Sequence, residues 1–458
     1  MRPRTFAGGV HPPEAKQATR NLAIQQVAVS PTLVVSLRQS MGAASTPVVE
    51  KGAHVAKGEL LGRPSGFISA AVHAPTSGTV KRLTTMTDPV TGAPVEAVEI
   101  EADGLDAWHG ECNQERDWRS LSPEEVREAV AQAGLVGLGG ATFPTHVKLT
   151  PPRGATIEWV VLNGAECEPY LTCDHRLMLA EPAAIVEGLQ VFMHATGAPR
   201  GVIALEDNKM DACEVLRGAA AELENVDVVA LPVKYPQGAE KQLIKSLTGR
   251  EVPSGGLPAD VGVVVQNVGT AKAAFDALRW RRPLIDRVMT LTGDGVERPA
   301  NFAARIGTSV EALLEAAGLR DDTRKVIMGG PMMGLALAGT NTYTVKGLSG
   351  LVCLRAPEAF EHRQCIRCGK CVDVCPSGLV ASTLSTLGEA YEDGQLDTLD
   401  QAMESGLMDC IECGSCAYAC PSGRRLVHYI RFLKGERRKN LARERERKTQ
   451  EQAKVAKT

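Results

Sequence analysis

Eight of the thirteen cysteines crowd into residues 365–420, in two copies of one spacing. The first reads Cys365-x-x-Cys368-x-x-Cys371-x-x-x-Cys375-Pro376, and the second Cys410-x-x-Cys413-x-x-Cys416-x-x-x-Cys420-Pro421. A cubane [4Fe–4S] cluster takes four thiolates. Three closely spaced cysteines wrap one cluster, and the fourth reaches across to the other. The pattern therefore assigns one cluster to Cys365, Cys368, Cys371 and Cys420, and a second to Cys410, Cys413, Cys416 and Cys375. Pro376 and Pro421 turn the chain away after each crossover cysteine and remove a backbone donor there. Structural zinc sites use pairs at Cys-x-x-Cys spacing and need neither the third cysteine nor the Cys-Pro step. Such a module moves electrons. The other five cysteines, Cys112, Cys167, Cys173, Cys213 and Cys353, are scattered and read as small buried thiols.

An electron wire needs a donor, and two segments upstream have suitable chemistry. Gly134-Leu-Val-Gly137-Leu-Gly139-Gly140-Ala-Thr-Phe143-Pro144-Thr145-His-Val-Lys148 is rich in glycine. Glycines permit close backbone approach to a phosphate, and successive N–H groups form anion nests. These glycines follow a helix rather than a strand, so they are not the dinucleotide fingerprint of a Rossmann fold. Asn163-Gly-Ala-Glu166-Cys167-Glu168-Pro169-Tyr170 follows a predicted strand, where α/β proteins place their ligands. By spacing alone, the first segment is as compatible with a plain glycine-rich turn as with a nucleotide site, and the second reads as a solvated turn.

The elements that must position these segments are legible in outline. Residues 48–62 and 74–80 are short apolar stretches broken by glycines, the pattern of a small β-domain of hairpins. Ser122-Pro123-Glu124-Glu125 is a helix start, with a serine cap, proline at the first position and glutamate three residues after the cap. Buried strands are predicted at 159–162, 201–205, 226–230 and 261–265, and helices at 182–196, 211–223 and 271–280. This alternation argues for an α/β unit with a largely parallel sheet. Residues 287–352 read as a smaller β-rich unit with one helix near 310–317. The tail after Arg431 is basic and reads as a solvated helix or disordered arm.

Composition excludes some classes. The 458 residues are 44% hydrophobic and 23% charged, as in a multidomain globular protein. A formal net charge of −3 gives no global attraction to nucleic acid. No run of about 18 apolar residues would make a transmembrane helix. The start, Met1-Arg-Pro-Arg, lacks the apolar centre of a secretory signal. The expected location is cytoplasmic, with docking on a membrane complex still open.

Together these segments resemble a known family. The glycine loop is similar to that of the flavin- and NADH-binding subunit of respiratory complex I. Closer still is the RnfC subunit of the Rnf complex, the ion-translocating ferredoxin:NAD oxidoreductase. Phe6-Ala-Gly-Gly9-Val-His11-Pro12-Pro13-Glu14-x-Lys16, the hairpin domain, the glycine loop, Asn163–Tyr170 and the double cysteine pattern fall in the order of that family. The resemblance spans nearly the whole chain except the basic tail.

It implies a multidomain α/β architecture. A barrel-sandwich hybrid (1–110) is followed by a Rossmann-like FMN/NADH-binding α/β domain (120–285) and a soluble-ligand-binding β-grasp domain (286–352). An α-helical ferredoxin module with two [4Fe–4S] clusters (355–430) and the basic tail (431–458) complete the chain. The hairpin stretch Gly66–His73 has no lysine to carry a lipoyl arm. Gly137, Gly139, Gly140 and Lys148 are expected at the flavin phosphate and nucleotide, and Asn163 and Glu166 at the flavin. Tyr235, Gly238, Asn267 and Thr270 are expected nearby. Glu168 and Glu240 are expected to face the nicotinamide as the catalytic pair, with His11, His146 and His175 structural. Ala165 stands where the complex I protein has an acidic residue.

The implied cofactors are FMN and two [4Fe–4S] clusters, with NAD(H) as substrate. The implied partners are the membrane subunits of the Rnf complex and its ferredoxin-linked electron-transfer subunit, with the chain peripheral on the cytoplasmic face of the bacterial inner membrane. The alternative is a soluble flavin/iron–sulfur NADH reductase similar to the cobalamin reductase of microcompartments, which is expected to begin near the glycine loop.

Overall fold

The computed structural model describes residues 5–89, 92–357 and 363–455. The N-terminal hairpins form two small antiparallel sheets. One orders the strands Thr32–Ser36, Pro94–Ala102, Gly78–Thr87 and His54–Val55, and the other Thr46–Pro47, Leu60–Arg63 and Val72–His73. Leu37, Val55, Leu61, Val72, Val80 and Ile100 fill the space between them. The preceding strand Ile24–Gln26 belongs elsewhere: it pairs in parallel with Ala300–Arg305. Residues 1–110 thus lend a strand to the β-rich unit that begins 260 or so residues later.

The α/β unit holds a four-stranded parallel sheet. Its order is Val226–Leu231, Arg200–Glu206, Trp159–Gly164, Val263–Asn267. These strands read as continuous apolar runs because both faces are covered. Val160, Leu162, Ile203 and Leu205 face the helices Pro182–Thr196, Met210–Ala219 and Val268–Arg279. The intervening Val161, Val202 and Ala204 face Leu243, Ile244 and Leu247 of the helix Glu240–Thr248. Gly188 allows the first and third of these helices to touch, since a Cβ there would lie 2.0 Å from the Ala271 carbonyl oxygen.

The predicted helices over 182–196, 211–223 and 271–280 are present at Pro182–Thr196, Met210–Ala219 and Val268–Arg279. The strand expected at 261–265 is displaced to Val263–Asn267 by a 3₁₀ turn, Pro258–Val261. Three helices of this unit, Thr145–Lys148, Cys173–Ala180 and Glu240–Thr248, had no sequence counterpart. The helix Pro123–Gln132 begins with the predicted box: Glu125 N–H donates to Ser122 Oγ at 3.3 Å, and Ser122 N–H to Glu125 Oε2 at 2.7 Å.

A six-stranded mixed sheet follows, running from Ile24–Gln26 through Ala300–Arg305, Asp286–Thr292, Gly350–Leu354 and Lys325–Met328 to Leu335–Ala336. The helix Val310–Ala316 packs on it through Leu313 and Leu314. Lys346, fully buried, donates to the carbonyls of Ala71 (2.8 Å) and Gly134 (2.7 Å). One ammonium group therefore ties the hairpin domain, the β-rich unit and the start of the glycine loop together.

The cysteine module is helical. Ala381–Glu392, Thr398–Glu404 and Leu426–Val455 pack through Leu384, Leu399, Leu426, Ile430 and Leu433. The last helix carries the basic tail, which is helical over its described length. Among the described residues no helix is long and apolar enough to cross a membrane.

Candidate functional site

The two cysteine loops adopt matched backbones. Arg367 and Glu412 both have positive φ, +54° and +58°, and so do Gly369 and Gly414, +79° and +81°. Each pair occupies the same place in its motif. At these bends the Arg367 N–H donates to Cys365 Sγ and the Glu412 N–H to Cys410 Sγ, both at 3.4 Å. Turning amides toward thiolate sulfur is a recurrent feature of iron–sulfur loops.

The thiols of Cys375, Cys410, Cys413 and Cys416 line one cavity, closed by Leu379, Leu384, Val427 and Ile430. Cys375 comes from the first motif and the other three from the second, the set that the crossover rule selects. Burial raises the Cys410, Cys413 and Cys416 thiols above their ordinary range. Charge stabilisation by a bound cation is what such thiolates need. Four sulfurs in one apolar cavity fit a cubane cluster. Of the other set, Cys365 and Cys368 are exposed, while Cys371 and Cys420 pack against the module's core. The Arg363 N–H donates to the Ser422 carbonyl at 3.1 Å, which brings the start of the first motif to the end of the second.

The glycine loop is a bent hairpin. Gly137 N–H donates to the Phe143 carbonyl at 2.8 Å, and Leu138 N–H to Thr270 Oγ1 at 2.9 Å. Buried Thr270 therefore shapes the loop from behind. Gly140 has φ +104°, and a Cβ there would meet open space; Gly137 and Gly139 are likewise free of close contacts on that side. This exposed strip of backbone suits the phosphate of a flavin nucleotide. Arg287, buried, donates to the Leu138 carbonyl at 2.6 Å and to the Leu348 carbonyl at 3.1 Å, fixing the loop to the six-stranded sheet.

Beside the strip, Lys148 donates to Glu240 Oε1 at 2.5 Å and to the Val265 carbonyl at 3.1 Å. Asn163 Nδ2 donates to the Gly238 carbonyl at 2.7 Å. Asn267 Oδ1 caps its helix by accepting from Gly269 N–H at 2.8 Å, and its Nδ2 donates to Asp174 at 2.6 Å. These residues all lie around the glycine loop.

Three expected residues face other tasks. Glu166, at φ +46°, accepts from the backbone N–H groups of Asp174 (2.7 Å) and His175 (3.3 Å), so its carboxylate sits on the start of Cys173–Ala180. Glu168 accepts from the N–H groups of Met332 (3.0 Å) and Met333 (2.8 Å). Burial pushes its carboxyl up to about 7, against the pull of those two amides. Glu168 and Glu240 have no hydrogen-bonding partner in common. The Tyr235 hydroxyl, which burial keeps protonated, donates to the Cys413 carbonyl at 2.6 Å. His146 bonds the Phe67 carbonyl (3.1 Å) and His175 bonds Asp211 (2.9 Å).

Sequence reasoning did not assign roles to Lys16 and Lys209. Lys16 is buried, and burial lowers its pKa. It donates to the carbonyls of Glu166 and Glu168, each at 2.9 Å, and of Leu171. Lys209 donates to the Ala165 carbonyl at 2.7 Å and pairs with Glu206 at 3.4 Å. The acidic loop is thus suspended by its carbonyls from two buried ammonium groups. For Lys16 a signal existed in the motif Pro12-Pro13-Glu14-x-Lys16. For Lys209 it lay at the end of the strand Arg200–Glu206, where the logic that singled out residues 163–170 applies again.

The fold and site define a flavin- and iron–sulfur-binding electron-transfer protein. Family models match along the chain: the RnfC barrel sandwich hybrid domain over residues 4–105, the Nuo51 FMN-binding domain over 130–276, the SLBB domain over 288–336 and the 4Fe-4S dicluster domain over 359–421. The chain belongs to the RnfC family, the C subunits of ion-translocating ferredoxin:NAD(+) oxidoreductase complexes. It is 45% identical to the C subunit of the proton-translocating complex of Clostridium ljungdahlii, over 95% of this chain and 94% of that one. It is 43% identical to the C subunit of the Na(+)-translocating complex of Acetobacterium woodii, over 94% and 97%. Among solved structures, a chain of the NAD+-reducing [NiFe]-hydrogenase in the H2-reduced state aligns over 69% of this chain and 63% of that one, at 19% identity and a TM-score of 0.47.

Proposed function

We propose that this protein exchanges electrons between NAD(H) and the membrane subunits of an Rnf-type ion-translocating complex, working on the cytoplasmic face of the bacterial inner membrane beside a ferredoxin-linked subunit. When bound, FMN supplies the change from two-electron hydride chemistry to one-electron chemistry, and each [4Fe–4S] cluster carries one electron. The chain's own residues bind and orient. Gly137, Gly139 and Gly140 offer backbone to the flavin phosphate, with Asn163, Gly238, Asn267 and Thr270 holding the surrounding loops. Lys148 and Glu240 lie where the nicotinamide nucleotide would arrive, Glu240 to orient it and Lys148 to balance charge. Glu166 and Glu168 act as positioning residues, through the helix start and the turn that they hold.

One packed junction carries this reading. Val10, Tyr235 and Cys413 are buried together, with Cys167, Met332, Val374 and Ile411 around them. Cys167 belongs to the acidic loop and Cys413 to the enclosed four-thiol cavity. This supports Cys375, Cys410, Cys413 and Cys416 as the cluster on the flavin side, and the cluster of exposed Cys365 and Cys368 as the outlet. The N-terminal hairpin domain favours membership of the membrane complex over the soluble reductase.

The test is anaerobic. Protein loaded with FMN and both clusters should show two cubane spin-resonance signals on addition of NADH and should reduce an artificial one-electron acceptor. Zinc in place of iron, or clusters that NADH leaves oxidised, overturns the reading.

A further inference from the structure

Tyr235 lies in the loop Tyr235-Pro-Gln-Gly238 between the strand Val226–Leu231 and the helix Glu240–Thr248. The far end of this loop meets the flavin-side segment. The Gly238 carbonyl accepts from Asn163, and the Gly238 N–H donates to Cys167 Sγ at 3.4 Å. The near end turns the other way. Tyr235 is 2% exposed and packs beside Cys413, and its hydroxyl donates to the Cys413 carbonyl at 2.6 Å. The backbone is pinned as well: Tyr235 and Val10 exchange N–H···O=C bonds of 2.9 and 2.8 Å. Gly9 N–H in turn donates to the Val374 carbonyl at 2.9 Å, beside Cys375. Hydrogen bonds and covalent links therefore run without a gap from Asn163 through Tyr235 to a cysteine of the four-thiol cavity.

We propose that Tyr235 is a positioning residue for the cluster held by Cys375, Cys410, Cys413 and Cys416, setting its reduction potential through the hydrogen bond to the Cys413 carbonyl and coupling it to the flavin site. The proposal rests on the preceding assignment of these thiols. A carbonyl oxygen adjoining a thiolate ligand adds negative potential where an electron must be added. A phenol donating to that oxygen cancels part of it, and the apolar surroundings leave the effect unscreened. Hydrogen bonding near a cluster is one of the main levers on its potential. Removing the donor leaves a buried carbonyl unpaired and makes the cluster harder to reduce.

The experiment is a redox titration, followed by spin resonance, of the full chain carrying FMN and both clusters. In Tyr235→Phe, one cluster signal should titrate at a more negative potential than in the wild type, the other keeping its own. Rapid mixing with NADH should show slower reduction of the shifted cluster. Difluorotyrosine at position 235, a stronger donor of the same shape, should shift the same signal positively, and this arm decides the matter if the phenylalanine variant loses iron. Unchanged potentials in both forms overturn the proposal, as does an altered flavin spectrum or NADH affinity with both potentials intact. A wild type without two cubane signals instead refutes the assignment of the thiols, so the two failures are distinguishable.

Discussion

The Lys148 ammonium lies 2.5 Å from the Glu240 carboxylate, although 92 residues separate them in sequence. Lys148 closes the short helix Thr145–Lys148 after the glycine loop, and Glu240 opens the helix Glu240–Thr248. The pair is partly exposed, so as a stabilising contact alone it would be worth about 1 kcal/mol or less. Its position beside the open glycine strip is what the proposed role in nucleotide binding rests on.

Glu240→Gln should therefore lower kcat/KM for NADH oxidation by roughly 10- to 100-fold, the loss of one hydrogen bond to a charged group. Iron content and both cluster signals should stay as in the wild type. Steady-state kinetics with an artificial acceptor, beside an iron assay, checks both. Loss of the clusters would contradict the division of labour between the two halves of the site.

The crossover of ligands has its own signature. Cys375→Ser should abolish the same cluster signal as Cys410→Ser, although Cys375 belongs to the other motif. Cys420→Ser should in turn match Cys365→Ser. Each variant should fall from roughly eight iron atoms per chain to roughly four. Metal analysis with spin resonance of the reduced proteins reads this out; a Cys375 variant that matched Cys365→Ser would put each cluster within a single motif.

How much of this was legible in the sequence follows from the range of each interaction. The cysteine loops are local, and their spacing alone selected the four thiols that share the cavity. The strands of the parallel sheet were legible because burial on both faces demands unbroken apolar runs. Lys16 was not, because its acceptors are backbone carbonyls 150 residues and more away, which leave no pattern in side-chain type. Glu168 and Tyr235 illustrate the converse. Their motif placed them near the site, but the direction of a side chain depends on what packs against it, here the 330–333 turn and the Cys413 loop. The strand Ile24–Gln26 went unassigned because its partner lies in another unit.

Glu168 gives stability a pH dependence of definite sign. Burial raises its folded-state pKa from 4.5 to about 7. Between those values the folded chain holds a proton that the unfolded chain has lost. The contribution is fully present below pH 4.5 and is lost as pH rises through 7, a change of about 3 kcal/mol at most. Subtracting the denaturation profile of Glu168→Gln from that of the wild type isolates it from other titrating groups. A flat difference between pH 5 and 7.5 would place the carboxylate in water.

The N-terminal segment should protect the enclosed cluster. Gly8 has φ +71°, and a Cβ there would lie 2.8 Å from the carbonyl carbon and oxygen of Cys375, which are backbone atoms and cannot swing aside. Gly8→Ala must therefore lift residues 6–10 away from the Cys375 turn, and with them Val10, which is buried beside Cys413. Gly52 is the control: it too has positive φ, +87°, but open space where its Cβ would be, so Gly52→Ala carries only the backbone strain of about 1–2 kcal/mol. In air, the iron–sulfur absorbance of Gly8→Ala should bleach several-fold faster than that of Gly52→Ala, with one cluster signal disappearing first. Equal bleaching of the two variants would mean that the packing of Gly8 on Cys375 does nothing to keep oxygen from the cluster.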